Sequence, residues 1–266
     1  MVRDLQGLRL LITGASSGIG RSLAEQAVRA GARVVLAARS AGPLDAAVAE
    51  LARDGQEALA VAADVTDPTG RQRLLDAAVA RFGGLDVLVN NAGVGSWGHF
   101  AGGSEAILRQ VMEVNFFAAA ELTRLAIPVL TNGRQAAVLN IASMCGRRGM
   151  PAWSEYSASK FALCGLTEAL RAELARFDID VLLVLPGLTR SDLARHLLRS
   201  EGRYPIPYDK GMPPADVAAA ALDALIRNRT ETVVGRDARW MLRINRLLPR
   251  LVDRLLARRV SRLYAN

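Results

Sequence analysis

Tyr156 and Lys160 are the two residues of this sequence best suited to moving a proton. Residues four apart in a helix lie on one face, one turn from each other. A cation at that distance favours the phenolate, so the spacing predicts a pKa for Tyr156 below its usual value of about 10. A phenol tuned in this way can donate or accept a proton near neutral pH.

A glycine-rich segment near the start predicts a phosphate-binding turn. Residues 13–20 read T-G-A-S-S-G-I-G, between an apolar run and a helix-like stretch. Glycines allow a tight turn and close approach to a pyrophosphate, and a helix N-terminus supplies N–H donors. The predicted contacts are Gly14, Ser16, Ser17, Gly18, Ile19 and Gly20. The spacing differs from G-x-G-x-x-G, so a plain glycine turn is the alternative.

Arg39 stands where NAD-binding sheets of this kind carry an acid that binds the adenosine ribose. An arginine can pair with a 2′-phosphate instead, so we predict NADP in preference to NAD. The alternative is a solvated arginine. Asp64 and Val65 follow the third predicted strand, where the carboxylate can accept a hydrogen bond from adenine. Small residues follow the fourth strand and let a ribose pass close: Asn91, Ala92 and Gly93.

Short apolar runs alternate with helix-like stretches along the chain. The predicted strands are 8–13, 33–37, 58–62, 87–90, 136–141 and 181–185, with 232–234 as a further edge strand. The predicted helices are 19–30, 43–54, 71–81, 106–130 and 157–177. This alternation predicts an α/β fold with a doubly wound, mostly parallel sheet covered by helices on both faces. We assign one domain to 1–235, including a loop or short-helix lid at about 188–214, and a helical extension to 236–266.

The formal charge of +8 is concentrated in that extension, where nine arginines face two aspartates. The rest of the chain is near neutral, which argues against nucleic-acid binding. Cys145 and Cys164 have neither disulfide nor metal-ligand spacing, and His99 and His196 suggest no metal site. No signal peptide or run of roughly 20 apolar residues is evident, so we expect a cytoplasmic location.

Together these motifs resemble the short-chain dehydrogenase/reductase family in its compact form. The resemblance covers residues 5 to 235 and includes T-G-x-x-x-G-x-G, N-N-A-G at 90–93, Asn115, Ser143 and Y-x-x-x-K at 156–160. It implies a Rossmann-type sheet of about seven strands and a homodimer or homotetramer.

The resemblance also implies a role for each matching residue. Tyr156 would be the general acid/base, and Lys160 would lower its pKa and hold the nicotinamide ribose. Ser143 would bind the substrate oxygen, and Asn115 would hold a water that links Lys160 to solvent. As alternatives, Ser143 is a local backbone cap and Asn115 a polar kink in a helix. The expected nicotinamide contacts follow the sixth predicted strand: Pro186, Gly187, Thr189 and Ser191.

Apolar residues near the expected site predict a hydrophobic carbonyl or alcohol as substrate. They are Val94, Trp97, Phe100, Met144, Cys145, Met150, Trp153, Leu188, Leu193, Leu197 and Tyr204. The predicted function is an NADP-dependent oxidoreductase that interconverts a carbonyl and an alcohol. The alternatives are a non-catalytic nucleotide-sensing or scaffold protein and an NAD-linked epimerase or dehydratase.

The extension has an arginine at every fourth residue from 246 to 262 and a leucine-rich opposite side. Pro249 is expected to divide it into two helices, because proline is tolerated in a first helical turn. The pattern fits an amphipathic helix in a membrane interface, on the inner face of the membrane. The alternative, which the pattern slightly favours, is a helix that packs its apolar face on the body, on the lid or on a partner subunit.

Overall fold

Seven parallel strands form the central sheet, in the order β3-β2-β1-β4-β6-β7-β9. The computed structural model describes residues 2–52, 57–190, 193, 197–203 and 206–264. The strands of this sheet are β1 Arg9–Thr13, β2 Arg33–Ala38, β3 Ala58–Ala62, β4 Val87–Asn90, β6 Ala137–Ile141, β7 Asp180–Pro186 and β9 Glu231–Val234. A separate parallel pair joins β5 Gly95–Trp97 to β8 Leu197–Ser200.

Helices connect the strands and cover both faces of the sheet. They are α1 Gly18–Arg29, α2 Ala41–Ala52, α3 Pro68–Phe82, α4 Glu105–Met112, α5 Ala118–Leu130, α6 Ser154–Glu173, α7 Pro214–Ile226, α8 Arg236–Leu247 and α9 Pro249–Tyr264. Alternate residues of a strand point to opposite faces. Leu10 accordingly packs in the core with α1, α2 and α7, whereas Leu11 packs in the core with α3 and α5.

The predicted α/β class, parallel sheet and two helical layers are confirmed. Two details were wrong. The expected single helix over 106–130 is interrupted by a π-helical turn, Glu113–Phe117. The segment at 188–214, expected to be a loop or short-helix lid, contains a 3₁₀ turn, Tyr208–Lys210, but also β8 and a bridge between Thr189 and Met212. Helix α7 was not predicted, although its N-terminal prolines and apolar residues are helix-start signals.

From β1 to β3 successive strands are added on one side of β1, and from β4 onward they are added on the other side. The carboxyl ends of β1 and β4 therefore border a crevice. Buried side chains fix the strands beside it. The Asn90 amide donates to Asn140 Oδ1 on β6 at 2.9 Å and to Thr123 Oγ1 at 2.9 Å. The Asn140 amide donates to Thr167 Oγ1 at 2.8 Å. These bonds hold α5 and α6 against the strands that carry the site.

Candidate active site

The glycine turn at residues 14–20 lies at the carboxyl end of β1 and leads into α1. Gly14 and Gly18 have positive φ angles of 66° and 55°, which side chains disfavour. A Cβ on Gly14 would lie 2.8 Å from Ala92 Cα. A Cβ on Gly20 would lie 2.3 Å from the Gly14 oxygen. The turn therefore brings bare backbone up to a cleft, as a pyrophosphate site requires.

Asn91 locks this turn in place. Its amide donates to the carbonyl oxygens of Thr13 at 2.9 Å and Gly14 at 3.2 Å. The backbone N–H groups of Asn91 and Ala92 both donate to Thr13 Oγ1. The N-N-A-G segment thus supports the phosphate turn as well as bordering the same cleft.

One cleft joins the glycine turn to the Tyr–Lys pair. The predicted residues that line it are Gly14, Ser16, Ser17, Gly18, Ile19, Arg39, Asp64, Val65, Asn91, Ala92, Gly93, Tyr156 and Lys160. Val94 and Leu193, predicted as lining of the substrate pocket, also border it. Further lining residues were not predicted: Ala38, Ser40, Ala63, Val114, Ile141 and Ala142. Most of the latter are small or apolar residues at strand ends, where sequence carries little signal beyond their position.

Arg39 and Asp64 lie at the end of the cleft formed by β2 and β3. Arg39 is exposed, and no side chain in the described part of the chain pairs with its guanidinium. Asp64 Oδ1 accepts from Thr66 N at 2.9 Å and from Thr66 Oγ1 at 2.8 Å. Asp64 is therefore oriented by its own loop, with one carboxylate oxygen outside these two bonds.

Tyr156 and Lys160 lie in the first turns of α6, on one face, and both are buried. The Lys160 ammonium lies 5.7 Å from the centre of the Tyr156 ring and donates to the Ile141 carbonyl at 3.1 Å. The Trp153 ring packs edge-on against Tyr156, with 5.3 Å between ring centres. Helix geometry thus produces the predicted juxtaposition.

The predicted lowering of the Tyr156 pKa was wrong. Burial raises the pKa of the phenol above 10, and the negative charge of a Cys145 thiolate would raise it further, while a hydrogen bond with Ser143 lowers it. Burial also lowers the pKa of Lys160, from 10.5 to about 8. Both groups respond to the loss of water, which disfavours the charged form of each. Spacing alone could not reveal this, because burial depends on the whole fold.

Ser143 lies directly after β6 and serves as a cap, as the alternative proposed. Its Oγ accepts from Cys145 N at 3.1 Å at the start of a 3₁₀ turn, Met144–Gly146. The same hydroxyl interacts with the Tyr156 phenol. Capping and contact with the phenol are therefore compatible, because an oxygen that accepts one hydrogen bond can still donate another.

Asn115 occupies the π-helical turn and is almost fully buried. Its amide donates to the Val94 carbonyl and to Ser159 Oγ, both at 2.9 Å, and its Oδ1 accepts from Val94 N at 2.8 Å. These bonds tie the strand β5 region to α6. Turns of the π type recur at functional sites. The predicted water relay through Asn115 stays a prediction.

Several predicted cofactor contacts lie outside the lining of the cleft. Gly20 is buried where α1 crosses the turn, and Pro186 is buried at the end of β7. A Cβ on Gly187 would lie 2.9 Å from Ala238 Cβ of α8, and Thr189 Oγ1 donates to the Gly187 carbonyl at 3.0 Å. Their predicted contacts with a nicotinamide stay predictions. Ser191, His196 and Tyr204 lie outside the described residues.

Part of the predicted apolar pocket forms around Gly95 of β5. A Cβ there would meet Leu197 at 2.6 Å, Trp153 at 3.2 Å and Leu193 at 3.6 Å, so these three side chains converge. Phe100, in contrast, is 64% exposed and does not belong to this wall. The pairing of β5 with β8 brings these apolar residues together, and it joins segments about a hundred residues apart.

Sequence reasoning missed two residues near the site. Negative charge on Tyr208 would raise the pKa of Tyr156. The Tyr208 hydroxyl is itself buried, with no hydrogen-bond partner among the described residues. Arg199 of β8 donates to the His99 carbonyl at 2.9 Å and lies 4.0 Å from the buried Glu155 carboxylate, next to Tyr156. The sequence does not distinguish these two residues from ordinary loop residues, because their buried surroundings are visible only in the fold.

The cleft fits a nicotinamide dinucleotide. Bare glycine backbone and the α1 N-terminus suit the pyrophosphate, and small residues at 91–93 leave room for a ribose. A Cβ on Gly93 would lie 3.2 Å from Asn115 Oδ1 and 3.7 Å from Lys160 Nζ, so a side chain there would press on Asn115 and contact the Lys160 ammonium.

Known proteins agree with this geometry. A family model described as short chain dehydrogenase matches residues 9–202. The uncharacterized oxidoreductase YxnA of Bacillus subtilis is 34% identical, over 96% of this chain and 73% of its own length. The ketoacyl reductase HetN of a Nostoc species is 32% identical, over 94% of this chain and 88% of its own.

A solved structure shares the fold across nearly the whole chain. A short chain dehydrogenase/reductase from Burkholderia phymatum, in complex with NAD, superposes with a TM-score of 0.86 at 28% identity. The match covers 94% of this chain and 96% of that one.

Proposed function

This chain belongs to the short-chain dehydrogenase family, and we propose that it is an NADP-dependent oxidoreductase that interconverts a carbonyl and an alcohol on a hydrophobic substrate. The family assignment carries the general activity and the nicotinamide cofactor. The observation that carries the proposed chemistry is that the glycine turn and the Tyr156–Lys160 pair line one cleft.

In the proposed mechanism Tyr156 delivers and removes the proton at the substrate oxygen. When bound, the cofactor supplies or accepts the hydride at the substrate carbon. Ser143 donates a hydrogen bond to the same substrate oxygen, where negative charge develops. Lys160, cationic below about pH 8, stabilises a phenolate on Tyr156 once its proton has left. Trp153 and the apolar side chains around Gly95 exclude water.

Replacing Tyr156 tests this assignment. Tyr156→Phe keeps the ring contact with Trp153 and removes only the acidic proton. We expect turnover to fall at least 100-fold, in line with the usual worth of general acid catalysis, while NADPH binding changes less than about twofold. NADPH oxidation with a panel of hydrophobic ketones and aldehydes gives the turnover, and fluorescence titration gives the binding. Substantial residual turnover would show that another group donates the proton.

The NADP preference depends on Arg39, whose guanidinium is exposed at the edge of the cleft, away from any acidic partner in the described part of the chain. A bidentate pair with a 2′-phosphate is a charge-assisted contact worth about 1.5–3 kcal/mol. Arg39→Asp should therefore weaken NADPH binding by about 10- to 100-fold and spare NADH. Arg33→Asp is the matched control, because Arg33 begins the same strand and pairs with Glu57 at 2.5 Å. Equal affinity of the unchanged protein for NADH and NADPH would refute the preference.

The substrate class follows from the apolar wall formed by Trp153, Leu193 and Leu197. HetN, one of the relatives, is named a ketoacyl reductase, so acyl chains with a keto group belong in the first panel of substrates. A preference for small polar carbonyls over hydrophobic ones would contradict this part of the proposal.

A further inference from the structure

Helices α8 and α9 carry an exposed apolar stripe that the body of the protein leaves uncovered. Sequence analysis treated their leucine-rich side as one face, but the structure divides it in two. One stripe packs on the protein, and a second is open to solvent beside a stripe of arginines.

In α8 the three stripes follow helical spacing. Ala238 is buried against the body, and Met241, Leu242 and Asn245 lie on the same half-buried face. The exposed apolar stripe consists of Trp240, Ile244 and Leu247, with Leu247 77% and Trp240 58% exposed. The exposed basic stripe consists of Arg236, Arg239, Arg243 and Arg246.

In α9 the same arrangement continues after Pro249. Val252 and Leu256 are buried, and α9 borders the segment that contains Met150 and Phe161. Leu248, at the junction, begins an exposed stripe that continues through Leu251 and Leu255. The exposed arginines beside it are Arg250, Arg254 and Arg258.

We propose that α8 and α9 form an interfacial anchor that binds an anionic lipid surface. The exposed apolar stripe would enter the boundary between headgroups and acyl chains, and the arginines would contact the headgroups. Trp240 suits the interface because its ring is apolar and its N–H is polar. Among the described helices none is long and apolar enough to cross a bilayer.

Charge favours a lipid surface over a second copy of the chain. Residues 236–266 contain nine arginines and two aspartates, so two copies paired along this stripe would bring two strongly basic surfaces together. One of the two aspartates, Asp253, is already paired with Arg148 at 2.7 Å. An anionic membrane instead supplies the opposite charge, worth about 1 kcal/mol for each arginine near it.

The anchor is also joined to the site. Arg148, five residues after Ser143, donates to Asn245 of α8 at 3.1 Å and to Asp253 of α9 at 2.7 Å. Ala238 of α8 packs on Gly187 at the end of β7. The anchor therefore contacts two segments that begin at the carboxyl edge of the sheet, so a bound membrane would lie near the loops expected to admit a hydrophobic substrate.

Vesicle flotation tests the anchor independently of any enzymatic activity. The full chain is mixed with vesicles of phosphatidylcholine alone or of equal parts phosphatidylcholine and phosphatidylglycerol. We expect flotation with the mixed vesicles at low salt, little with phosphatidylcholine, and weaker binding at high salt. Brominated acyl chains should quench Trp240, and Trp240→Phe should remove that quenching while Trp97 and Trp153 remain. Failure of the intact protein to float with mixed vesicles at low salt would overturn the proposal.

Matched variants test whether vesicle binding depends on the exposed apolar stripe or on nonspecific adhesion of the protein. The double variant Leu247→Glu/Leu251→Glu should weaken vesicle binding at least tenfold, because burying each leucine is worth about 1.5–3 kcal/mol. Phe100→Glu is the control, since Phe100 is as exposed but lies outside the tail. Both variants should keep the melting temperature of the parent. If the double variant still floats, the stripe is not a lipid anchor. The same conclusion follows if the parent is a dimer that does not float and the double variant is a monomer.

Discussion

Replacing the buried Lys160 should make this protein more stable near neutral pH. Lys160 is 4% exposed, and burial lowers its pKa from 10.5 to about 8. Each unit of pKa corresponds to about 1.4 kcal/mol, so keeping the ammonium charged in the fold at pH 7 costs about 3 kcal/mol. Lys160→Met removes this cost. It also leaves the Ile141 carbonyl without its 3.1 Å donor, a loss of about 1 kcal/mol. We expect a net gain of about 2 kcal/mol in the free energy of unfolding.

The gain should disappear at high pH, and the sign of this change is fixed by the pKa values. The unfolded chain binds the Lys160 proton more tightly than the folded protein does. The parent protein therefore becomes more stable as the pH rises from about 8 to 10.5. The variant has no such proton. Its advantage of about 2 kcal/mol at pH 7 should reach zero within this window and become a deficit of about 1 kcal/mol at pH 10.5.

Urea denaturation of the parent and of Lys160→Met, at pH 7 and at intervals up to pH 10.5, measures this difference. Lys210→Met is the matched control, because Lys210 is the other lysine of the chain and is exposed. It should change the free energy of unfolding by less than about 0.5 kcal/mol at each pH. A Lys160→Met protein that is less stable than the parent at pH 7 would refute the reasoning, as would a gain that does not depend on pH.

Three further predictions concern other parts of the fold. Gly20→Ala should abolish cofactor binding in a fluorescence titration, because its Cβ would lie 2.3 Å from a backbone oxygen of the turn. Gly42→Ala is the control: a Cβ there would have open space, so this variant should bind the cofactor as the parent does. Burial raises the pKa of Asp86, but hydrogen bonds from Arg9 outweigh this effect and hold the pKa below 3.8. The Asp86 carboxylate therefore stabilises the folded protein above pH 3.8, and this stabilisation is lost as the pH falls further. Asp86→Asn should accordingly cost about 3 kcal/mol in urea at pH 7 and less at pH 3, where the unfolded carboxyl is already mostly protonated; equal losses would contradict the charge pairing. Tyr208→Phe should raise KM for the carbonyl substrate about three- to tenfold through one lost hydrogen bond, without changing NADPH affinity; an unchanged KM would exclude contact with the substrate.

The positions of the strands along the chain and the cleft were predictable because their signals are local. A short apolar run such as 87–90 is typical of a strand buried on both faces. A glycine turn between a strand and a helix is typical of a dinucleotide site. The Tyr156–Lys160 spacing is likewise contained within five residues of one helix. Each of these features needs only the neighbouring residues to be interpreted.

Features that depend on distant parts of the chain were not predictable in this way. The pairing of β5 with β8 joins Gly95 to Leu197 across a segment that contains all four proposed catalytic residues. The division of the tail into a packed stripe and an exposed stripe depends on where Val252 meets the body. The interruption of the helix at 113–117 follows from the three hydrogen bonds of Asn115 to Val94 and Ser159, which no periodicity encodes.

The same burial that contradicted the expected tyrosine pKa gives the site a chemical bias. It raises the pKa of Tyr156 and lowers that of Lys160, so near neutral pH the phenol keeps its proton while the ammonium remains charged. A protonated phenol is the form that reduction of a carbonyl needs, because the proton moves to the substrate oxygen as hydride arrives at carbon. Oxidation of an alcohol needs the phenolate, which burial makes scarce. In the mechanism proposed above, we therefore expect carbonyl reduction to have a lower pH optimum than alcohol oxidation. The cation of Lys160 would act just after the proton has left, when the buried phenolate has little water to stabilise it.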